Sequence, residues 1–160
     1  MQLDVTDRKL INLLQEDSKQ TTKQLSLALN LSVTAVYERI KKLEKEQVIK
    51  QYVALINKNK IEKSFLVFCH IKLIQHTKEY VTNFEKEVLK LPEVAECFHV
   101  SGDYDYILKI YVKDMDEYRN FMVTKLTAIK HIGSTHSTFA IEQVKNTTEI
   151  KLSANSRGMI

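Results

Sequence analysis

The sequence predicts an α+β chain in two parts: a winged helix-turn-helix domain followed by a ferredoxin-like βαββαβ domain. Three observations predict it. Apolar residues recur at helical spacing in three short runs before residue 48, whereas from Ser64 onward strand alternation and helical spacing take turns. The polar stretch 57–63 (NKNKIEK) separates the two regimes. The basic excess sits wholly in the first regime, since residues 1–60 hold 11 Lys/Arg against 7 Asp/Glu and residues 61–160 hold 13 of each.

The first helix is expected from about Asp7 to Glu16, with Thr6 as N-cap and Val5 and Leu10 at the spacing of a hydrophobic staple. Leu10, Ile11 and Leu14 share its apolar face. Thr21-Thr22-Lys23-Gln24 has the layout of a capping box and opens a second helix, whose apolar residues are Leu25, Ala28 and Leu29. The small Ala28 is expected inside the packing corner. Asn30, which tolerates the left-handed conformation, ends that helix. Ser32 caps a third helix running to about Glu46, and its stripe Val36, Ile40 and Leu43 faces the other two. Residues 47–52 (QVIKQY), continued by 53–56, alternate enough for a short strand.

The opposite face of the third helix carries Thr34, Ala35, Tyr37, Glu38, Lys41, Lys42 and Lys45. A helix fits the major groove of double-stranded DNA, reading base edges with its N-terminal residues while the preceding helix crosses the phosphates. Thr34, Ala35, Tyr37 and Glu38 are thereby placed at bases, with Ser32 at the helix start. Arg39, Lys41 and Lys42 are placed at phosphates, and Thr21 and Thr22 become donors to phosphate. The competing reading is a solvated Lys/Glu face on a unit that docks on protein.

In the second part, Phe65, Val67, Cys69, Ile71 and Leu73 alternate as a strand. A helix over about 77–91 follows, with Val81, Phe84, Val88 and Leu91 in its stripe and Pro92 ending it. Strands at 94–101 and 106–112 flank the turn Gly102-Asp103, Asp114 or Asp116 caps a helix through Leu126, and 132–144 forms a long last strand. Both helices are expected on one face of a four-stranded antiparallel sheet. The other face would present Leu66, Phe68, Ile74, Ile107 and Tyr111, too apolar for water, so a homodimer is expected. The domains read as 1–50, a hinge strand and linker at 51–63, 64–148, and a flexible tail at 149–160 with no assigned role.

The stretches DVTDRKLINLLQED (4–17), LSVTAVYERIKKLEKEQVI (31–49), VSGDYDYIL (100–108) and THSTFAIEQVK (135–145) together resemble the Lrp/AsnC family of bacterial and archaeal transcription factors. The resemblance covers about 3–145 and implies a dimer, often assembled into octamers, that binds DNA and responds to an amino acid or related small metabolite. It also implies an effector site at the loop Gly102, Asp103, Tyr104 and Asp105, with Thr135, Ser137 and Thr138 on the last strand. A glycine-containing turn can cradle a carboxylate, and Asp105 is the expected ammonium partner. The family usually has Gly where Asn30 and Gln47 stand, and Pro-Gly-Val where His131-Ile132-Gly133 stands.

Other classes are disfavoured. Apolar residues at 44% and charged residues at 28% fit a soluble globular chain, and three glycines with one proline leave no Gly-rich phosphate loop. No apolar run could span a bilayer and no signal layout opens the chain, so the expectation is a cytoplasmic protein without membrane association. No cofactor or metal is expected, because Cys69 and Cys97 should lie two strands apart, beyond disulfide reach, and Cys69 and His70 point to opposite faces. No catalytic motif appears. Decarboxylases of modified tetrapyrroles resemble the family, and His76, His99, His131 and His136 keep that class open, but Lys41, Lys42 and Lys45 arranged along one helix favour a regulator over an enzyme.

Overall fold

The computed structural model describes residues 2–153. Two compact units emerge, one comprising Met1–Leu55 with the segment from Lys145 onward, the other Ile56–Val144. The polar stretch 57–63 therefore belongs to the second unit. There Lys58–Lys60 form one 3-10 turn, Lys58 Nζ donates to the Tyr111 hydroxyl at 2.7 Å, and Lys63 Nζ to Glu117 at 2.6 Å.

Among the described residues the first unit has three helices, α1 (Val5–Glu16), α2 (Thr22–Leu29) and α3 (Val33–Lys45). The α1 start differs from expectation. Asp4, not Thr6, is the N-cap, and Asp4 and Asp7 form a reciprocal capping box. A carboxylate accepts the free first-turn N–H groups and also suits the positive helix end. With the cap moved, Val5 lies inside the helix and is 45% exposed, so the staple does not form. The Thr21–Gln24 box and the Ser32 cap of α3 form as expected, and Asn30 takes φ 53, ψ 49. Leu10, Leu14, Leu25, Val36 and Leu43 make the core. Ala28 is exposed and does not fill the corner, which is closed by buried Ser26, whose hydroxyl bonds the Lys23 carbonyl at 2.8 Å.

No strand forms over 47–56. Gln47 sits at φ 56 directly after α3, which breaks any extended run there, and the chain beyond it has no partner strand. Tyr52, Val53, Leu55 and Ile56 are left between 47% and 71% exposed. The tail also departs from expectation. Residues 150 and 152 are hydrogen-bonded to α1, while 154–160 lie outside the described residues.

The second unit is β1 (Phe65–Leu73), α4 (Lys78–Val88), β2 (Val94–His99), β3 (Tyr106–Val112), α5 (Met115–Phe121) and β4 (Ile132–Phe139). The sheet order is β2-β3-β1-β4, with all three pairings antiparallel. Asp114 caps α5, which continues as one π-helical turn over Met122–Leu126. The last strand stops at Phe139, and Ile141 and Val144 beyond it are fully exposed. Val67, Cys69, Ile71, Leu108 and Ile110 face Phe84, Val88, Phe121 and Leu126 of the helices in one core. Burying a large apolar side chain stabilises by about 1.5–3 kcal/mol, so this layer dominates the unit's stability. Cys69 and Cys97 both pair with Leu108 from opposite sides, which places them two strands apart, and both thiols are free.

The helix-free sheet face carries Phe68, Ile107 and Tyr111, half-buried, with Leu66 buried among them. Ile74 lies past the end of β1 and is 62% exposed.

Candidate DNA-facing helix and ligand loop

The α3 surface is built by its neighbours. Leu31 N–H bonds the Ser26 carbonyl at 3.0 Å, closing the turn between α2 and α3. Val36 and Leu43 are wholly buried against α1 and α2, which leaves Ser32, Thr34, Tyr37, Glu38, Lys41, Lys42 and Lys45 exposed and Ala35 half-buried at the tip. Ser32 Oγ accepts the Ala35 N–H at 3.1 Å, so its hydroxyl proton remains available to a phosphate. Lys41 pairs with Glu44 at 2.9 Å and lies 5.8 Å from the Tyr37 ring centroid. The Glu44 carboxylate raises the Lys41 pKa, and Lys41 in turn lowers that of Glu44.

Two residues expected at phosphates have other work. Arg39 donates to Asp4 at 2.7 Å and to Asp7 at 2.5 Å, tying α3 to the first turn of α1. Asp7 is almost wholly buried, so the guanidinium compensates a desolvated carboxylate. The Asp7 backbone N–H and then Arg39 hold the Asp4 carboxyl below the usual range. Arg39 thus braces α3 against α1 through Nη1. Thr21 also differs from expectation, because its hydroxyl proton is given to Gln24 Oε1 at 2.8 Å while its oxygen accepts the Gln24 N–H. It can still accept but has no proton to donate to a phosphate. Thr22 is half-buried in the first turn of α2.

The loop between β2 and β3 is the second candidate. Gly102 takes φ +118, a conformation that side-chain-bearing residues rarely adopt, and a Cβ built there meets nothing within 4 Å. Asp103 is exposed. Asp105 is 4% exposed and turned inward, with Oδ2 accepting the Leu73 N–H at 2.7 Å and Oδ1 lying 2.6 Å from His76 Nε2. Its backbone bonds Ile71 and Val100 at 2.8 and 2.9 Å. Asp105 therefore ties the loop to the end of β1.

The strand residues also divide. Thr135 and Ser137 pair with Ile71 and Cys69 on the helix-facing side, whereas Thr138 pairs with Phe68 on the open side. Ser137 Oγ is 2.6 Å from the Tyr118 hydroxyl, a half-buried pair on the helix-facing side of the sheet. On the open face Tyr104 meets His70 and His136 in a triangle of rings with centroids 5.1, 5.9 and 6.1 Å apart. His70 and His136 are directly opposite in register, so the alternation of β1 and β4 carried the signal for this cluster. Among the described residues no helix is long and apolar enough to cross a membrane.

Known proteins match both halves. A family model for the Lrp/AsnC ligand binding domain matches residues 66–150, and one for winged helix-turn-helix DNA-binding matches 3–50. The leucine-responsive regulatory protein of Escherichia coli K12 is 36% identical over 148 residues, covering 92% of this chain and 90% of that protein. The crystal structure of an AsnC family transcriptional regulator from Agrobacterium tumefaciens superposes with a TM-score of 0.89 at 37% identity, covering 92% of this chain and 96% of that one. A Neisseria meningitidis transcriptional regulator in complex with L-Met gives 0.89 at 30% identity, covering 96% and 98%. The fold and these matches define a DNA-binding transcriptional regulator with a ligand-binding domain. The chain belongs to the Lrp/AsnC family.

Proposed function

We propose that this chain acts as a homodimer, assembling further to octamers, and places the α3 of each copy in the major groove at one half of a pseudo-palindromic site. Thr34, Ala35, Tyr37 and Glu38 read bases, while Lys41, Lys42, Ser32 and Thr22 hold phosphates. The observation that carries this reading is the exposed cationic face of α3, kept in place by the Arg39 brace. Two-fold pairing through the open sheet face supplies the second helix.

The effector in this reading is an α-amino acid, in keeping with the leucine-responsive relative and the L-Met complex of the Neisseria protein. It binds at the Gly102 loop, where backbone N–H groups meet its carboxylate, with Asp103, Tyr104 and Thr138 about it and Asp105 holding the loop's shape. Thr135 and Ser137 act from inside the sandwich, through the strand. The protein works in the cytoplasm as a regulator and not as an enzyme.

Electrophoretic mobility shift on DNA upstream of the gene, over a salt series and with a panel of amino acids, tests the reading. Salt-steep binding that one amino acid changes is expected. Binding indifferent to salt would point to protein docking instead, and a spectral change on adding a tetrapyrrole would point to the enzyme class.

A further inference from the structure

Beyond β4 the chain returns to the first unit and is gripped there by two side chains. Asn12 and Gln15, three residues apart, share one face of α1. Asn12 Nδ2 donates to the Leu152 carbonyl at 2.9 Å, and Asn12 Oδ1 accepts the Leu152 N–H at 3.0 Å. Gln15 repeats the pattern on Ile150, at 3.0 and 2.8 Å. A carboxamide carries donor and acceptor side by side and so imitates the edge of a strand, which neither a carboxylate nor an ammonium can do. Residues 150 and 152, two apart, turn the same backbone edge toward α1. Backbone is what is gripped: the Ile150 side chain is 74% exposed.

The route to this grip is uncommitted. Ala140 N–H bonds the Leu66 carbonyl at 3.0 Å at the end of the sheet, and after it Ile141 and Val144 bury nothing. The four bonds are exposed or half-buried and compete with water, so their net gain is of the same order as the entropy lost by ordering the segment. Such a contact opens and closes on small perturbation.

We propose that residues 145–153 form a releasable clasp, which closes on Asn12 and Gln15 of α1 and transmits changes at β4 to the DNA-binding unit. The chain crosses between its units twice, at Leu55/Ile56 and at Val144/Lys145, and the clasp makes the second crossing a mechanical link. β4 bears Thr135, Ser137 and Thr138, so a rearrangement there has a path to α1 that bypasses residues 47–56. The transmission arm rests on the effector reading above; the closure of the clasp does not.

The test uses the full chain and the double variant Asn12→Ala/Gln15→Ala. Alanine keeps α1 helical, and neither residue belongs to the DNA-facing or ligand sets. Residue-resolved hydrogen exchange should show the Ile150 and Leu152 amides exchanging at least about tenfold faster in the variant, with the core amides of α1 to α3 unchanged. Affinity for DNA should stay within about twofold, while the shift produced by L-leucine or L-methionine is lost. Deleting residues 145–160 should reproduce the loss. Exchange at 150 and 152 that the variant leaves unaltered would overturn the clasp, and faster exchange with the amino-acid response intact would overturn its coupling role. If the wild-type chain ignores every amino acid, the effector reading fails, and exchange alone then upholds or overturns the clasp.

Discussion

Replacing Arg39 by methionine separates a brace from a phosphate contact. Methionine keeps the length and apolar stem of the side chain but removes both charge-assisted bonds, at 2.7 Å to Asp4 and 2.5 Å to Asp7. The Asp4 side chain is 53% exposed, so its share is screened and worth at most about 1 kcal/mol. The Asp7 side chain is only 5% exposed, and a hydrogen bond to so buried a charge contributes about 1.5–3 kcal/mol. A loss of about 2–3 kcal/mol follows, and for a unit of this size each kcal/mol moves Tm by about 4–8 °C. Differential scanning calorimetry should therefore show the helical unit's transition falling by about 10–20 °C. The double variant with Asp7→Asn should recover part of that, because the uncompensated carboxylate is gone. Measured well below Tm, the salt slope of DNA binding should equal that of the wild type. An unchanged Tm with a slope shallower by about 0.9 would refute the brace and return Arg39 to the phosphates.

Asp105→Ala leaves the Leu73 N–H without its acceptor in a buried place and should cost about 1–3 kcal/mol by denaturant unfolding; unchanged stability with lost effector response would instead make Asp105 a direct ligand contact. The folded-state pKa of Asp4 is lowered, so its contribution to stability is present above the unfolded value of about 4 and lost as pH falls through the folded one. An acid titration of unfolding should accordingly show a shallower acid limb for Asp4→Asn. Burial and then the Glu85 carboxylate push the Cys97 thiol up to about 11 from its ordinary 9.0, so iodoacetamide at pH 8 should label it at least about tenfold more slowly than a free cysteine, as read by mass spectrometry.

What the sequence made legible were features set by local chemistry. The Thr21–Gln24 box, the Ser32 cap, the left-handed Asn30 and the strand alternation of residues 65–73 each depend on neighbours a few residues away. What it hid depends on distant partners. Arg39 reads as one more cation on a basic helix until α1 brings Asp4 and Asp7 beside it. Asp105 reads as a loop carboxylate until the ends of β1 and β3 meet and turn it inward. The alternation of residues 47–56 misled because a strand needs a partner as well as a pattern, and this chain folded by itself offers none. Residues 150–152 read as part of a flexible tail, since hydrogen bonds made through the backbone leave no side-chain signature. In β4 the alternation was readable, and it separates Thr138 from Thr135 and Ser137.

The central claim is that α3 meets DNA through its exposed lysines, and the salt dependence of affinity tests it most directly. Observed association constants for wild type and for Lys41→Ala/Lys42→Ala should be measured by fluorescence anisotropy on one DNA duplex across a salt series. The wild type should show a steep linear fall of log K with log salt, and the variant a slope shallower by about 1–2 together with weaker binding to every sequence. Two coincident slopes, or a wild-type affinity that salt does not alter, would contradict it.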